Sequence, residues 1–298
     1  MILDTDMGTD VDDALALAFA LRHPDIELVA VTTVADDVVR RAQIAQKLLR
    51  IAGCDDIEVA PGVGWTEPPA SRRSWGGHEG VGFLDADDEA RTFERDGVAL
   101  LLEETRDGDI EIATVGMQSN VAAAVERDPS LRARVARLDV MGGAFAPIIV
   151  GGVERPPAFD HNLIVDPAAS LRSLNAGFEA MYTPVDVTVQ APLRTSHLEA
   201  LGDGDELCRA LVPMLELWRN HANYPDDTAA LLHDPLAVAC AVDRSFVTVE
   251  RLPVTVAMHD GAVRTFIDPV QGREADVVTS VDAKPFADFW LETVLRPA

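Results

Sequence analysis

Lysine is almost missing from this 298-residue chain: Lys47 and Lys284 are the only two among 25 Lys and Arg residues, set against 50 Asp and Glu. The formal net charge is −25. A surface this acidic repels phosphate, which excludes nucleic acid and anionic membrane as natural partners. It suits a high-salt cytoplasm; a GC-rich genome favouring Arg codons gives the same composition, and the sequence does not separate the two. Cysteine is sparse as well, with Cys54, Cys208 and Cys240. An odd, sparse set argues against a disulfide framework and for a reducing compartment. None of the three has metal-site spacing. No apolar run approaches the ~20 residues of a membrane-spanning helix, and no leader-like segment precedes the first strand pattern. The expectation is a soluble, cytoplasmic protein. Repeats, low-complexity segments and linkers are missing too, so residues 1–298 read as one domain, with 48% apolar residues to build its core.

What the chain does have is aspartate at its start. The run Met-Ile-Leu-Asp-Thr-Asp-Met-Gly-Thr-Asp-Val-Asp-Asp places Asp4, Asp6, Asp10, Asp12 and Asp13 within thirteen residues. An apolar triplet leads in and an Ala/Leu-rich helical pattern leads out. Carboxylates crowded at the end of a buried strand repel one another unless a cation neutralises them. Hard divalent ions with oxygen ligands, Ca²⁺ or Mg²⁺, are the usual answer. Helix capping could account for Asp10, Asp12 and Asp13. It does not account for Asp4 and Asp6, which sit where open α/β sheets place ligands.

Strand and helix patterns alternate along the chain. Strands are expected at residues 1–3, 27–34, 57–60, 110–115, 138–141 and 179–183, and helices at 12–22, 38–52, 98–105, 120–127 and 167–175. Residues 61–93 read as a long loop region. This alternation predicts an α/β fold: a mostly parallel, doubly wound sheet flanked by helices. The later part differs. Residues 197–243 are mainly helical. Short strand-like runs at 246–249, 254–258, 263–267 and 275–279 suggest hairpins or an edge extension, and 283–295 closes as a helix.

Several strands run directly into small or polar residues, where such a sheet builds its site. After the aspartates come Thr32-Thr33-Val34-Ala35-Asp36-Asp37, Val115-Gly116-Met117-Gln118-Ser119-Asn120, Met141-Gly142-Gly143-Ala144 leading to Asp160-His161-Asn162, and His233-Asp234-Pro235-Leu236. Taken singly, Asp37 reads equally as a helix cap, Asn120 as a turn residue, Asp234 as an N-cap before proline and His233 as a core histidine. Together they fall on segment ends that this topology gathers on one edge.

These segments resemble the inosine–uridine-preferring nucleoside hydrolase family. The resemblance rests on Asp4-Thr5-Asp6-Met7-Gly8 with Asp12-Asp13-Ala14, on Thr32 to Asp37, on Asn162-Leu163-Ile164-Val165-Asp166-Pro167, and on His233-Asp234-Pro235-Leu236-Ala237-Val238; it covers residues 1 to about 240. It implies a Ca²⁺ that binds the ribose diol and the attacking water, with Asp6, Asp13, Asp234 and the Val115 carbonyl as ligands. It further implies Asp6 as general base, Asp12 on the ribose hydroxyls, Asn162 on the 5′-hydroxyl side and His233 at the leaving group. Asp37 stands where the family places Asn or Asp, and Asp160 where it places a ribose-binding Glu. A homodimer or homotetramer is implied as well. The sequence departs from the pattern in Thr9-Asp10-Val11, which lengthens the first loop by two residues, and in Glu154, which stands where an amide is expected.

The residue types suit N-glycosidic hydrolysis. Cleavage of the ribosyl C1′–N bond passes through an oxocarbenium-like state, which nearby carboxylates stabilise. A carboxylate base can take the proton of an attacking water, predicting inversion at C1′. His233 is the expected acid for the departing base, since a histidine titrates near neutral pH. His78, in Gly76-Gly77-His78-Glu79-Gly80, is a candidate to border the same pocket; His221 and Tyr224 are weaker candidates for base contacts. Two other readings stand beside this one. A haloacid-dehalogenase-type phosphatase also opens on Asp-x-Asp after a strand, but Gly8 replaces the expected Thr or Val and His233-Asp234 has no role. A non-catalytic, Ca²⁺-stabilised nucleoside or sugar-binding protein would use the same residues without turnover.

Overall fold

The computed structural model describes residues 1–64, 76–155, 160–222 and 225–297. In chain order its strands are β1 (Ile2–Thr5), β2 (Ala30–Thr33), β3 (Glu58–Pro61), β4 (Ile110–Thr114), β5 (Val135–Met141), β6 (Ile148–Val150), β7 (Val153–Arg155), β8 (Ala180–Thr183), β9 (Pro192–Arg194), β10 (Thr228–Leu231), β11 (Val247–His259), β12 (Ala262–Ile267) and β13 (Arg273–Val281). Nine of them form one sheet in the order β12-β11-β13-β8-β5-β4-β1-β2-β3. From β3 to β13 all neighbours are parallel, and β11 joins β12 and β13 antiparallel. The expected doubly wound sheet is therefore present, and the late strands extend its edge.

Burial follows the two-residue period of a strand. Ile2 packs with Ile112, Leu138 and Tyr182 on one face, whereas Leu3 packs with Leu15, Phe19 and Trp290 on the other. Each of these large side chains contributes roughly 1.5–3 kcal/mol on full burial. The Asp12–Arg22 helix is buried on nearly every side, as its stretch from residue 14 to residue 21, apolar all round, requires. It packs against the His233–Cys240 helix, whose residues from Asp234 onward are all buried. Two helix N-termini are thereby brought together inside the protein.

Three differences from the sequence expectation bear on the packing. The runs at 246–249 and 254–258 are one strand, β11, which passes through Pro253; the proline has no N–H to donate, but its carbonyl accepts from Asp268 at 2.8 Å. The mainly helical stretch 197–243 contains β10, which pairs with β9. Residues 61–93 include a short helix, Ala86–Glu89, whose buried Asp88 takes both Lys47 and Arg50 from the Val38–Ile51 helix. That ion cluster ties the segment down where apolar periodicity is lacking.

Candidate active site

Strand order reverses at β1 and β4: the chain winds from β1 to β2 and β3 on one side, and from β4 to β5 and β8 on the other. The crevice at the carboxyl ends of these two strands is where an open α/β sheet binds its ligand. Gly116, just past β4, lets the two ends close up, since a Cβ there would lie 2.7 Å from the Asp6 amide nitrogen. A cavity of about 470 Å³ opens at this point, and six aspartates line it: Asp6, Asp10, Asp12, Asp13, Asp160 and Asp234. Among the described residues no Arg or Lys lines it.

Three carboxylates form its tightest group. Asp12, Asp13 and Asp234 each offer an oxygen, and these oxygens lie within 4.8 Å of one another. All three are buried. They occupy the first turns of the two packed helices, where the positive helix ends favour negative charge. Thr5 Oγ1 donates to Asp13, and the Asp234 N–H lies 3.4 Å from Asp12 Oδ2. Burial, then mutual repulsion within the cluster, pushes all three carboxyls well above the ordinary carboxylate range. Asp10 beside them is pushed up to about 7, again chiefly by burial. Oxygen-only donors, buried and charge-crowded, fit a hard divalent cation better than a thiolate- or imidazole-seeking metal.

The other expected residues distribute unevenly. Asp6 opens on the cavity but lies outside the tight trio; Asp12, expected on the ribose, sits inside it. Asn162 is buried and donates to the carbonyls of Val115 at 2.6 Å and Met141 at 3.1 Å, so the Val115 oxygen already carries one hydrogen bond. Asp160 caps the His161–Ile164 helix and accepts from Gly143 N–H at 2.8 Å; burial raises it to about 6. Asp4 stays within β1, holding Thr32 and Asn120 rather than facing the cavity. Glu154 is exposed on β7 and lines a separate cavity.

Two of the expected site residues have surroundings that the sequence does not show. Asp37 is exposed, accepts from Arg40 N–H as the N-cap of the Val38–Ile51 helix, and is not among the cavity residues; its short side chain is satisfied locally. His233 does line the cavity, with Nδ1 paired to Thr188 Oγ1 at 2.6 Å, but burial pushes its imidazole down to about 4. Burial thus disfavours its charged form. His78 lies one wall away, in an adjoining cavity that shares Thr9, Asp10 and Trp218 with the first. Its ring stacks on His221 with centroids 4.2 Å apart. Tyr224 lies outside the described residues.

Three contributors were not singled out from sequence. Thr5 orients Asp13; Thr188 orients His233; and Trp218, between the two cavities, has a buried indole N–H with no partner among the described residues. The last had a signal, since a tryptophan late on an amphipathic helix offers a large flat face with one donor.

The family described as inosine-uridine preferring nucleoside hydrolase matches residues 1–288. The inosine-uridine preferring nucleoside hydrolase of Leishmania major is 28% identical over 97% of this chain and 94% of its own length. Uridine nucleosidase 1 of Arabidopsis thaliana is 28% identical over 86% of this chain and 77% of its own. Among solved structures, a plant nucleoside hydrolase superposes with a TM-score of 0.82 at 26% identity, covering 99% of this chain and 98% of the other. With the family matched over nearly the whole chain, this protein belongs to the inosine-uridine preferring nucleoside hydrolases and is by that membership a hydrolase of N-glycosyl bonds.

Proposed function

We propose that this protein hydrolyses ribonucleosides to free base and ribose with the help of Ca²⁺. The observation that carries the reading is a cavity lined by six aspartates and, among the described residues, by no Arg or Lys. Such a site repels phosphate and suits a neutral polyol substrate, a cation, and a reaction that develops positive charge. The residues that would hold the ion are Asp12, Asp13 and Asp234, with Asp6 and the Val115 carbonyl on the same cavity wall. When bound, a divalent cation would neutralise the trio and bind hydroxyl oxygens.

Within that frame each side chain has a defined task. Asp6 takes the proton of the attacking water, as a carboxylate base. Carboxylates around the sugar favour the cationic, oxocarbenium-like state. Direct attack by water inverts the configuration at C1′. Asn162, held by the Val115 and Met141 carbonyls, serves the sugar's 5′-hydroxyl side, and Asp160, held by the Gly143 N–H, binds the ribose. His233, its Nδ1 paired with Thr188, gives a proton or a hydrogen bond to the departing base. Trp218 and His78 offer flat rings beyond it. A homodimer or homotetramer, as implied by the family, is checked by light scattering.

The test is a substrate panel in which base and reducing sugar are both measured. Inosine and uridine are expected to be cleaved, and their 5′-monophosphates at least ~100-fold more slowly, because a like-charge juxtaposition costs several kcal/mol. Equal or faster cleavage of the monophosphates, or release of phosphate in place of base, would contradict the reading. His233 is tested separately. His233→Ala is expected to slow inosine by roughly 10–100-fold and p-nitrophenyl riboside, whose leaving group needs little help, by less than about threefold. Equal losses on both would assign His233 a structural role.

A further inference from the structure

We infer that Arg41 is a positioning residue for hydrolysis: its guanidinium holds the Asp6 loop and the β2 end in one geometry and links them through Thr9 and Glu79 to the segment that carries His78. The inference rests on the hydrolase reading above and names a residue that reading does not use.

Arg41 is fully buried, on the Val38–Ile51 helix that follows β2. It does not act on its own strand end alone. Nε donates to the Ala35 carbonyl at 2.8 Å; Nη1 donates to the carbonyls of Asp6 and of Met7, the latter at 2.9 Å; Nη2 donates to Thr9 Oγ1 at 3.2 Å. One planar fork thus spans the loops after β1 and β2. The β2 loop needs such an anchor, because Ala35 and Asp36 are non-glycine residues with φ of 68° and 54°. Left-handed conformations cost of order 1–3 kcal/mol each and persist only where neighbours fix them.

The chain of contacts continues. Thr9 Oγ1 donates to Glu79 Oε1 at 2.7 Å, and the nearly fully buried Glu79 also accepts the Gly77 N–H at 2.7 Å. The Thr9 carbonyl meets His78 Nε2 at 2.8 Å. The loop carrying the proposed base is therefore clamped from below by Arg41 and from the side by Glu79. A positive charge this close to a cation site would, by charge alone, oppose cation binding. The geometry, a rigid fork on three carbonyls and a hydroxyl, is what a lysine cannot reproduce.

The experiment compares Arg41→Lys and Arg41→Gln with the wild type by steady-state kinetics on inosine and by calorimetric Ca²⁺ titration. At saturating Ca²⁺ both variants are expected to lose roughly 10–100-fold in kcat, since small misplacements of a catalytic group cost that much, with KM within about threefold because Arg41 touches no substrate-binding side chain. Ca²⁺ affinity is expected to weaken by about tenfold, as for loss of an outer support to a metal site. Wild-type kcat and Ca²⁺ affinity in Arg41→Lys would overturn the inference. So would tighter Ca²⁺ binding with unchanged kcat in Arg41→Gln, which would assign a charge effect only. A lowered melting temperature with unchanged kcat per folded molecule would make the residue merely structural and overturn it too. Should neither variant fold, Thr9→Val breaks the link at its half-exposed end; it is expected to lower kcat severalfold, and wild-type kcat and Ca²⁺ affinity there would overturn the inference. If the wild type cleaves no nucleoside, the hydrolase reading fails, and the Ca²⁺ titrations still decide the role of Arg41.

Discussion

Asp6→Asn is expected to lower kcat by roughly three orders of magnitude while the protein stays folded, within the range general-base catalysis contributes. The amide is isosteric, so the β1 end and its backbone bonds to Arg41 survive. What is lost is the ability to accept a proton and one negative charge in a cavity that develops positive charge. Because Asp12, Asp13 and Asp234 form the tight trio without Asp6, Ca²⁺ binding should weaken far less than turnover does. The check is kcat measured at saturating nucleoside and Ca²⁺, with circular dichroism and Ca²⁺ titration on the same sample. Near-wild-type turnover with metal bound would remove Asp6 from the role of base; parallel collapse of metal binding and turnover would make it a ligand first.

The second large effect concerns metal removal and pH together. Asp4 and Asp10 are raised to about 7 and Asp12, Asp13 and Asp234 well above the ordinary range, in each case first by burial. A carboxyl raised in the folded state favours the fold while protonated. That contribution is complete below the unfolded value near 4 and is lost as pH rises through the folded values, around 7 and above. The chelated protein should therefore melt at progressively lower temperature from pH 5.5 to 8.5. Bound Ca²⁺ needs those carboxylates ionised, so its stabilisation should grow over the same window. At a thousandfold excess over Kd it reaches about 4 kcal/mol, or roughly 10 °C for a chain of this size. Melting curves with EDTA and with Ca²⁺ across that range measure it, at constant ionic strength. A Ca²⁺ increment that is flat with pH would mean the cluster is not where the ion binds.

Much of this site is legible in the sequence. The aspartate run at a strand end and the His233-Asp234 helix start are both local signals, and the topology that joins them follows from strand–helix alternation. What local signals miss is decided by three-dimensional context. Asp37 carries the right chemistry at a strand end, but a nearby helix N-terminus uses it first. His233 carries an ordinary histidine's expected titration, which burial shifts downward. Pro253 looks like a break because a proline lacks a donor, yet the strand needs only its carbonyl there. Arg41 could have been found: it lies three residues before Ile44 and seven before Leu48, on the face of the helix that is buried, and an arginine on an apolar face must have partners. The pairing of β9 with β10 leaves no such trace, since neither three- nor four-residue strand shows a usable alternation.

One titration tests the metal-dependent hydrolysis most directly. Metal-free protein receives Ca²⁺ in steps, and bound ion and ribose release from inosine are measured on each sample. The account predicts that both rise together and saturate at one ion per chain, and that Asp234→Asn, which keeps the shape of the side chain but removes its charge, depresses both. Full ribose release from protein stripped of divalent cations, or saturation of activity at a stoichiometry to which Asp234→Asn is indifferent, would contradict it.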